Sequence, residues 1–363
     1  MVMLLTFLLG IGPAFAASNA ELEERIEKLE KQTGGSSVEN PLGQITEWVT
    51  LSGLIEVEAG FESSDLNDSD NSDITLATVE LGIEARPLDW TTGFLLLLYE
   101  EDETELDVDE GYITLGASDT IPYYLTAGKF YVPFGTFETM MISDPITLDL
   151  AETNETAVQV GIEMNGFRGA VYAFNGDSDE AGDNDNAIES FGLTVGYTLE
   201  TDAFALDLGA DWISNLLDSD ALGDVYTTNG WSATLDDQVP GFAVHAVASF
   251  GSFSVIGEYV AMTDDLEAVG GGILAKEISA FAVEAGYTFD VSGFETTVAI
   301  GYQSSDDAAD VLPESKIIGS VGVGITDNLS LAAEYASAEN FPIAEGGDGD
   351  DIDTFTIQLA FEF

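Results

Sequence analysis

Residues 354–363 read T-F-T-I-Q-L-A-F-E-F, and their spacing decides how the rest of the chain is understood. Phe355, Ile357, Leu359, Phe361 and Phe363 fall on every second position, with Thr356, Gln358, Ala360 and Glu362 between them. A period of two is that of a β-strand with one apolar and one mixed face. In a soluble protein, five large apolar groups in a row need a covering layer. In a transmembrane barrel one face meets lipid, the other lines a wet lumen, and closure against the first strand removes the exposed edge.

Composition agrees with that design. The 363 residues include no Cys and one His, and 68 acidic side chains stand against 8 basic ones, a formal charge of -60. A disordered acidic chain has few aromatics, yet this one has 21 Phe and 12 Tyr. So much charge in an apolar-rich chain belongs in loops or a water-filled interior. It also argues against nucleic acid as a partner. Without cysteine there is no disulfide framework.

Residues 1–16 resemble a secretory signal. The apolar run 4–11 is too short to span a bilayer, and Ala14-Phe15-Ala16 supplies a small-residue cleavage pattern. Met1-Val2-Met3 carries no Lys or Arg, which departs from that pattern and leaves room for a start further upstream. Residues 17–42 are expected to form a short periplasmic helix and linker. Ser18 and Glu21 suit a capping box, and Leu22, Ile26 and Leu29 share one stripe. That helix reads equally as a coiled coil joining protomers or as a solvated stub. Gly34-Gly35-Ser36-Ser37 is a flexible hinge ahead of residues 43–363.

From residue 45 onward the period is two. Leu51, Gly53, Ile55 and Val57 oppose Ser52, Leu54, Glu56 and Glu58; Val158, Val160, Ile162 and Met164 oppose Gln159, Gly161 and Glu163. Phe191, Leu193, Val195 and Tyr197 oppose Gly192, Thr194 and Gly196, and Phe281, Val283 and Tyr287 oppose Glu284 and Gly286. The consistently apolar register is the lipid side. The run 94–99 is apolar on both faces and leaves its orientation open.

The connections alternate in length as well. Short ones fall at 87–89, 117–122, 165–166, 200–202, 251–252, 290–293 and 326–328. Long ones fall at 62–72, 101–105, 132–155, 177–186, 216–237, 264–274, 304–314 and 338–351. Seven short turns and eight long loops join sixteen strands, which predicts an all-β, antiparallel up-and-down transmembrane barrel with both ends periplasmic. A soluble sandwich would also alternate, but its outer faces would carry Lys, Thr and Ser, and its loops need not alternate.

Several stretches carry a family likeness. Gly128-Lys129-Phe130-Tyr131-Val132-Pro133-Phe134-Gly135 (G-K-x-x-V-P-F-G), Ser52-Gly53-Leu54-Ile55-Glu56-Val57-Glu58 and Leu97-Leu98-Tyr99-Glu100-Glu101 belong to the pattern. So do Ala173-Phe174-Asn175-Gly176-Asp177 and Gly257-Glu258-Tyr259. Together they resemble the LbtU-type siderophore porins, within the wider group of phosphate-selective and related outer-membrane porins. The resemblance runs from about residue 41 to the end. It implies a 16-stranded barrel in a Gram-negative outer membrane, in contact with lipid and lipopolysaccharide, that passes ferric siderophore.

The chemistry of passage rests on charge. The connection 132–155 carries Phe137, Met140, Met141 and Ile142 beside Glu138, Asp144 and Asp149. A loop so long and apolar reads either as a constriction folded into the barrel or as a cover over a protomer interface in a homotrimer. Glu56, Glu58, Glu80, Glu84, Glu163, Glu258, Glu284 and Glu334 fall on the inward register and make the lumen negative. Lys129 and Arg168 lie beside the candidate constriction, where they guide an anionic solute or neutralise inward Glu. Lys276 and Lys316 read as solvated rim residues.

An acidic pore repels an anionic ferric siderophore, so the resemblance and the charge pull apart. A general cation-selective porin, and a structural or adhesive barrel whose acidic loops bind divalent cations, are the other readings. No cofactor or metal site is expected. His245, the one histidine, alternates with Val244 and Ala246 and reads as a structural lumen residue, so no triad or zinc site can be assembled around it.

Overall fold

The computed structural model describes residues 48–66, 69–118, 120–182, 187–309 and 311–363. The expected export signal, periplasmic helix and linker lie outside the described residues. In chain order the strands begin with β1 (Val49–Ser64), β2 (Ser69–Leu88), β3 (Thr91–Glu100), β4 (Thr104–Ser118), β5 (Ile121–Tyr131) and β6 (Asn154–Met164). They continue with β7 (Phe167–Phe174), β8 (Ser190–Glu200), β9 (Phe204–Ile213), β10 (Gly241–Phe250) and β11 (Phe253–Met262). A small separate hairpin of β12 (Leu266–Glu267) and β13 (Ile273–Ala275) follows. The last strands are β14 (Ser279–Val291), β15 (Phe294–Asp306), β16 (Ser315–Thr326), β17 (Leu329–Glu339) and β18 (Asp351–Glu362). All but β12 and β13 form one closed antiparallel barrel in which β18 returns to pair with β1. The barrel therefore has the sixteen strands that the alternation of turns predicts.

The seam uses the stretch 354–363. Val57 pairs with Leu359 and Phe61 with Phe355 across β1 and β18. Beyond the ladder, Gly53 and Phe363 exchange backbone hydrogen bonds of 2.8 and 3.0 Å. A Cβ on Gly53 would lie 2.3 Å from the Phe363 ring, so this glycine makes the seat for the terminal aromatic.

The outward register is apolar and uncovered. Val158, Val160, Leu193, Val195, Val283 and Tyr287 are exposed, as are their equivalents around the barrel. A belt of this extent needs lipid to cover it. Rings cluster where turns meet the interface: Phe253 lies 5.5 Å from Phe250 and 4.8 Å from Tyr287, centroid to centroid. No helix among the described residues is long and apolar enough to cross a membrane.

Three details differ from expectation. The connections expected at 62–72 and 101–105 close more tightly, because β1 and β2 run on to Ser64 and from Ser69, and β3 and β4 meet after residues 101–103. The ambiguous run in β3 resolves by pairing: Glu80 opposes Leu98 and Glu110 opposes Leu96, which turns Leu96 and Leu98 inward with the carboxylates. Helices also occur within the barrel's own connections, α1 (Ile146–Ala151) and α2 (Asp220–Asn229). Neither has the length or period to announce itself in sequence.

Those helices belong to a second core. Phe134, Ile146 and Leu150 from the connection 132–153 are fully buried together with Leu216, Leu217 and Leu222 from the connection 214–240. Leu266 and Leu312 from the next two connections join them. The outer loops on this flank are a packed cap over the infolded segment, not solvated strings.

Candidate functional site: a constriction loop and its carboxylate clamps

The connection 132–153 leaves β5 at the outer end and turns into the barrel, as the constriction reading expected. Its path is set by hydrogen bonds to side chains on the inward register, taken in order round the wall. Gly135 N donates to Asp211 of β9 at 3.1 Å. Thr136 N and Phe137 N donate to the two oxygens of Glu258 on β11, at 2.7 and 3.1 Å. Thr139 Oγ1 and Met140 N donate to Glu284 of β14, at 2.6 and 2.7 Å. Ile142 N donates to Glu334 of β17 at 2.5 Å, and Ser143 Oγ to the same carboxylate at 2.8 Å. The loop then returns through α1, where Ile146 N donates to Gln303 of β15 and Thr147 Oγ1 to Glu258.

The physical reason is direct. A segment without a ladder of its own carries unpaired N–H groups into the barrel, and each needs an acceptor. A carboxylate provides the strongest acceptor a side chain can, each such bond contributing about 1.5–3 kcal/mol. Glu258, Glu284 and Glu334 thus face inward as their register requires, but their oxygens are occupied by the loop. Much of the interior acidity holds structure in place.

A second cluster fixes where the loop enters. Arg168 of β7 grips Asp207 of β9 through both terminal nitrogens at 2.6 Å each. His245 Nε2 lies 3.0 Å from the same carboxylate, and its Nδ1 lies 2.8 Å from Thr136 Oγ1 of the loop. The recess exists because two neighbours lack side chains: a Cβ on Gly209 would meet the imidazole at 2.1 Å, and one on Gly196 the guanidinium at 2.4 Å. Arg168 is therefore neutralised by a partner, Asp207, that the sequence reading did not single out. The period of two in β9 carried that signal, since Asp207 and Asp211 alternate with Leu206, Leu208 and Ala210.

The remaining predicted residues sort by position. Lys129 falls on the register of exposed Tyr123 and Leu125, at the outer end of β5, and donates to Val108 O at 3.2 Å. It does not touch the loop. Lys316 does: its Nζ lies 3.1 Å from Ser143 Oγ, so it is a loop contact and not the solvated rim residue expected. Lys276 stays exposed and pairs with Asp307. Glu84 pairs with Arg86 at 2.9 Å, and Glu163 is exposed opposite Arg168 in the hairpin register. Glu80 is inward on β2, beside Glu56.

Three loop acids keep their carboxylates free of clamps. Asp144 and Asp149 are water-accessible, and Glu138 is half-buried. Burial pushes the Asp149 carboxyl up to about 6, with repulsion from Asp144 adding and Lys316 opposing. Burial pushes Glu138 up to about 7, reinforced by Asp207 and Glu258 and opposed by His245 and Arg168. Asp144 also lies close enough to Glu56 and Glu58 of β1 to repel both. The loop's contacts run from β9 to β17, and β1, two strands beyond β17 in the ring, adds Glu56 and Glu58 beside Asp144.

Among the described residues no group of His, Asp or Glu is arranged to hold a metal ion. No protein-family profile matches the chain. A UPF0422 protein of Coxiella burnetii (strain RSA 493 / Nine Mile phase I) is 27% identical over 309 residues, 81% of this chain and 64% of the relative. A UPF0422 protein of Legionella pneumophila (strain Lens) is 24% identical over 329 residues, 83% of this chain and 61% of the relative. The chain thus spans less than two-thirds of the length of these curated relatives. Among solved structures, an anion-selective porin from Comamonas acidovorans superposes with a TM-score of 0.60 at 12% identity, covering 87% of this chain and 99% of that one. The outer membrane channel DcaP of Acinetobacter baumannii gives 0.59 at 15% identity, covering 87% and 97%. A trimer form of OmpT from Vibrio cholerae gives 0.52 at 14%, covering 87% and 100%. At such identities the likeness is one of fold: a sixteen-stranded barrel shared with outer-membrane porins.

Proposed function

We propose that the protein is a diffusion porin of a Gram-negative outer membrane whose narrow zone favours cations and neutral solutes over anions. The observation that carries this is the shared negative sign of the infolded loop and of the wall strand beside it. Asp144 and Asp149 stand on the infolded loop, Glu56 and Glu58 stand on β1 near Asp144, and Lys316 touches the loop only at Ser143, through its hydroxyl. Facing carboxylates in a confined space concentrate cations and exclude anions. The anion selectivity in the name of the Comamonas porin, a neighbour in fold, does not carry over, because selectivity follows lining charge and not barrel topology.

Passage of ferric siderophore, implied by the resemblance of the G-K-x-x-V-P-F-G stretch, is a narrower reading. The UPF0422 proteins and solved porins described above name no such solute, and the acids oppose an anionic complex. A neutral or cationic siderophore is compatible with the lining. Residues 1–16 as export signal, 17–42 as periplasmic helix, a homotrimeric assembly and divalent cations on the outer acidic loops complete the proposal. A neighbour described as a trimer form supports the assembly.

The test is a planar-bilayer measurement on the purified chain under a salt gradient. A reversal potential of the sign set by cation flow, reduced in Asp144→Asn, is the expected outcome. No conductance, or a preference for anions, would overturn the reading. Blockade by micromolar ferric siderophore in the same bilayer would establish the narrower one.

A further inference from the structure

We infer that Glu258 is the positioning residue that sets the width and sign of the passage, because its one carboxylate ties together both legs of the constriction loop. The inference rests on the porin reading above and deepens it. Glu258 Oε1 accepts from Thr136 N on the inward leg at 2.7 Å. Its Oε2 accepts from Phe137 N on the same leg at 3.1 Å and from Thr147 Oγ1 on the returning leg at 3.0 Å. Residues 136–147 are thereby closed into a ring that presents Glu138 and Asp144, with Asp149 just beyond it. Opening the ring at its neck frees the acids that line the narrow zone to move away from it.

The other two clamps do not have this geometry. Glu284 receives one backbone N–H, from Met140, and one hydroxyl, from Thr139. Glu334 receives its backbone donors on residues 142–143 alone, with the Ser143 hydroxyl completing the set. A hydroxyl rotates to become an acceptor; a backbone N–H cannot. The isosteric amide is therefore tolerated at 284, where the new NH2 can be aimed at Thr139 Oγ1. It is not tolerated at 258, where both oxygens face backbone N–H groups and either orientation sets donor against donor.

Single-channel recordings and reversal potentials of Glu258→Gln and Glu284→Gln, each checked for a folded barrel by heat-modifiable migration, test this. The expected result is a change of about twofold or more in conductance and in the cation-to-anion permeability ratio for Glu258→Gln, with Glu284→Gln near wild type. Thr147→Val, which removes only the returning leg's bond, should move both quantities the same way, and Thr147→Ser should restore them. These threonine variants carry the test if Glu258→Gln does not fold. Wild-type values in both Glu258→Gln and Thr147→Val, or equal shifts in the two glutamine variants, would overturn the inference while leaving the porin reading intact. A wild-type chain that forms no channel would instead overturn the porin reading.

Discussion

Asp149 is open to water yet enclosed by protein on most sides, and that combination makes it a titrating group in the physiological range. Burial raises its carboxyl from the ordinary 3.8 to about 6, and Asp144 adds to the rise. The folded state therefore holds this proton more tightly than the unfolded chain. Its contribution to stability is present below the ordinary value and is lost as pH rises through about 6. The loop gains negative charge as pH rises through about 6, where Asp149 ionises, and on through about 7, where Glu138 follows. Cation preference should rise over that interval in wild type, and Asp149→Asn should flatten the rise, as read from reversal potentials at stepped pH. The Arg168–Asp207 pair shows the opposite use of charge. One bidentate pair of hydrogen bonds absorbs the guanidinium, so one of the few lumen bases contributes orientation to His245, which in turn meets Thr136, and little free field.

The connection 214–240 behaves as an element in its own right, held on the flank of the barrel by apolar packing and by one buried carboxylate. Asp218 accepts from Ser178 N at 3.2 Å and from the hydroxyls of Ser178, at 2.8 Å, and Ser190. It joins the 3-10 turn before α2 to the connection after β7. Burial pushes its carboxyl up while these donors hold it down. Replacing it with alanine leaves several buried donors without an acceptor, at about 1–3 kcal/mol apiece. Asp218→Ala should leave the barrel folded in detergent but expose residues 214–240 to limited proteolysis, seen as a new cleavage product. An unchanged digest would show that Leu216, Leu217 and Leu222 hold the cap by packing alone. The infolded connection 132–153 uses both devices: Phe134, Ile146 and Leu150 share the apolar core of 214–240, while its inward leg depends on carboxylates at several stations.

For the whole molecule, the outward apolar belt and the closed seam are two halves of one requirement. No backbone N–H can be left unpaired in hydrocarbon, so β18 must find β1, and the Gly53–Phe363 exchange extends that match past the ladder. Deleting Phe363 removes both of these bonds and the ring seated on Gly53. The deletion should lower the temperature at which the folded band converts to the unfolded one in detergent gels, with conductance of surviving channels unchanged. Gly53→Val, which crowds the same ring, should act in the same direction but less, because an exposed phenylalanine can swing aside.

Strand number and most strand faces were legible in the linear chain, which leaves open the faces of 94–99 and the choice between infolding and an interface cover for 132–155. Apolar period, turn length and loop composition are local quantities that survive without knowledge of contacts. The inward placement of Glu56, Glu80, Glu258, Glu284 and Glu334 follows from the same period. What those carboxylates do does not follow from it. Whether an inward acid repels ions or caps a backbone N–H depends on which loop residue arrives opposite, more than a hundred residues away in sequence. Closure of the barrel and the path of the loop decided that Glu258, Glu284 and Glu334 are clamps. They also decided that Asp207 neutralises Arg168, that Lys129 faces out and that Lys316 meets the loop. Periodicity determines the side of the wall on which a side chain stands, and only the tertiary structure supplies its partner.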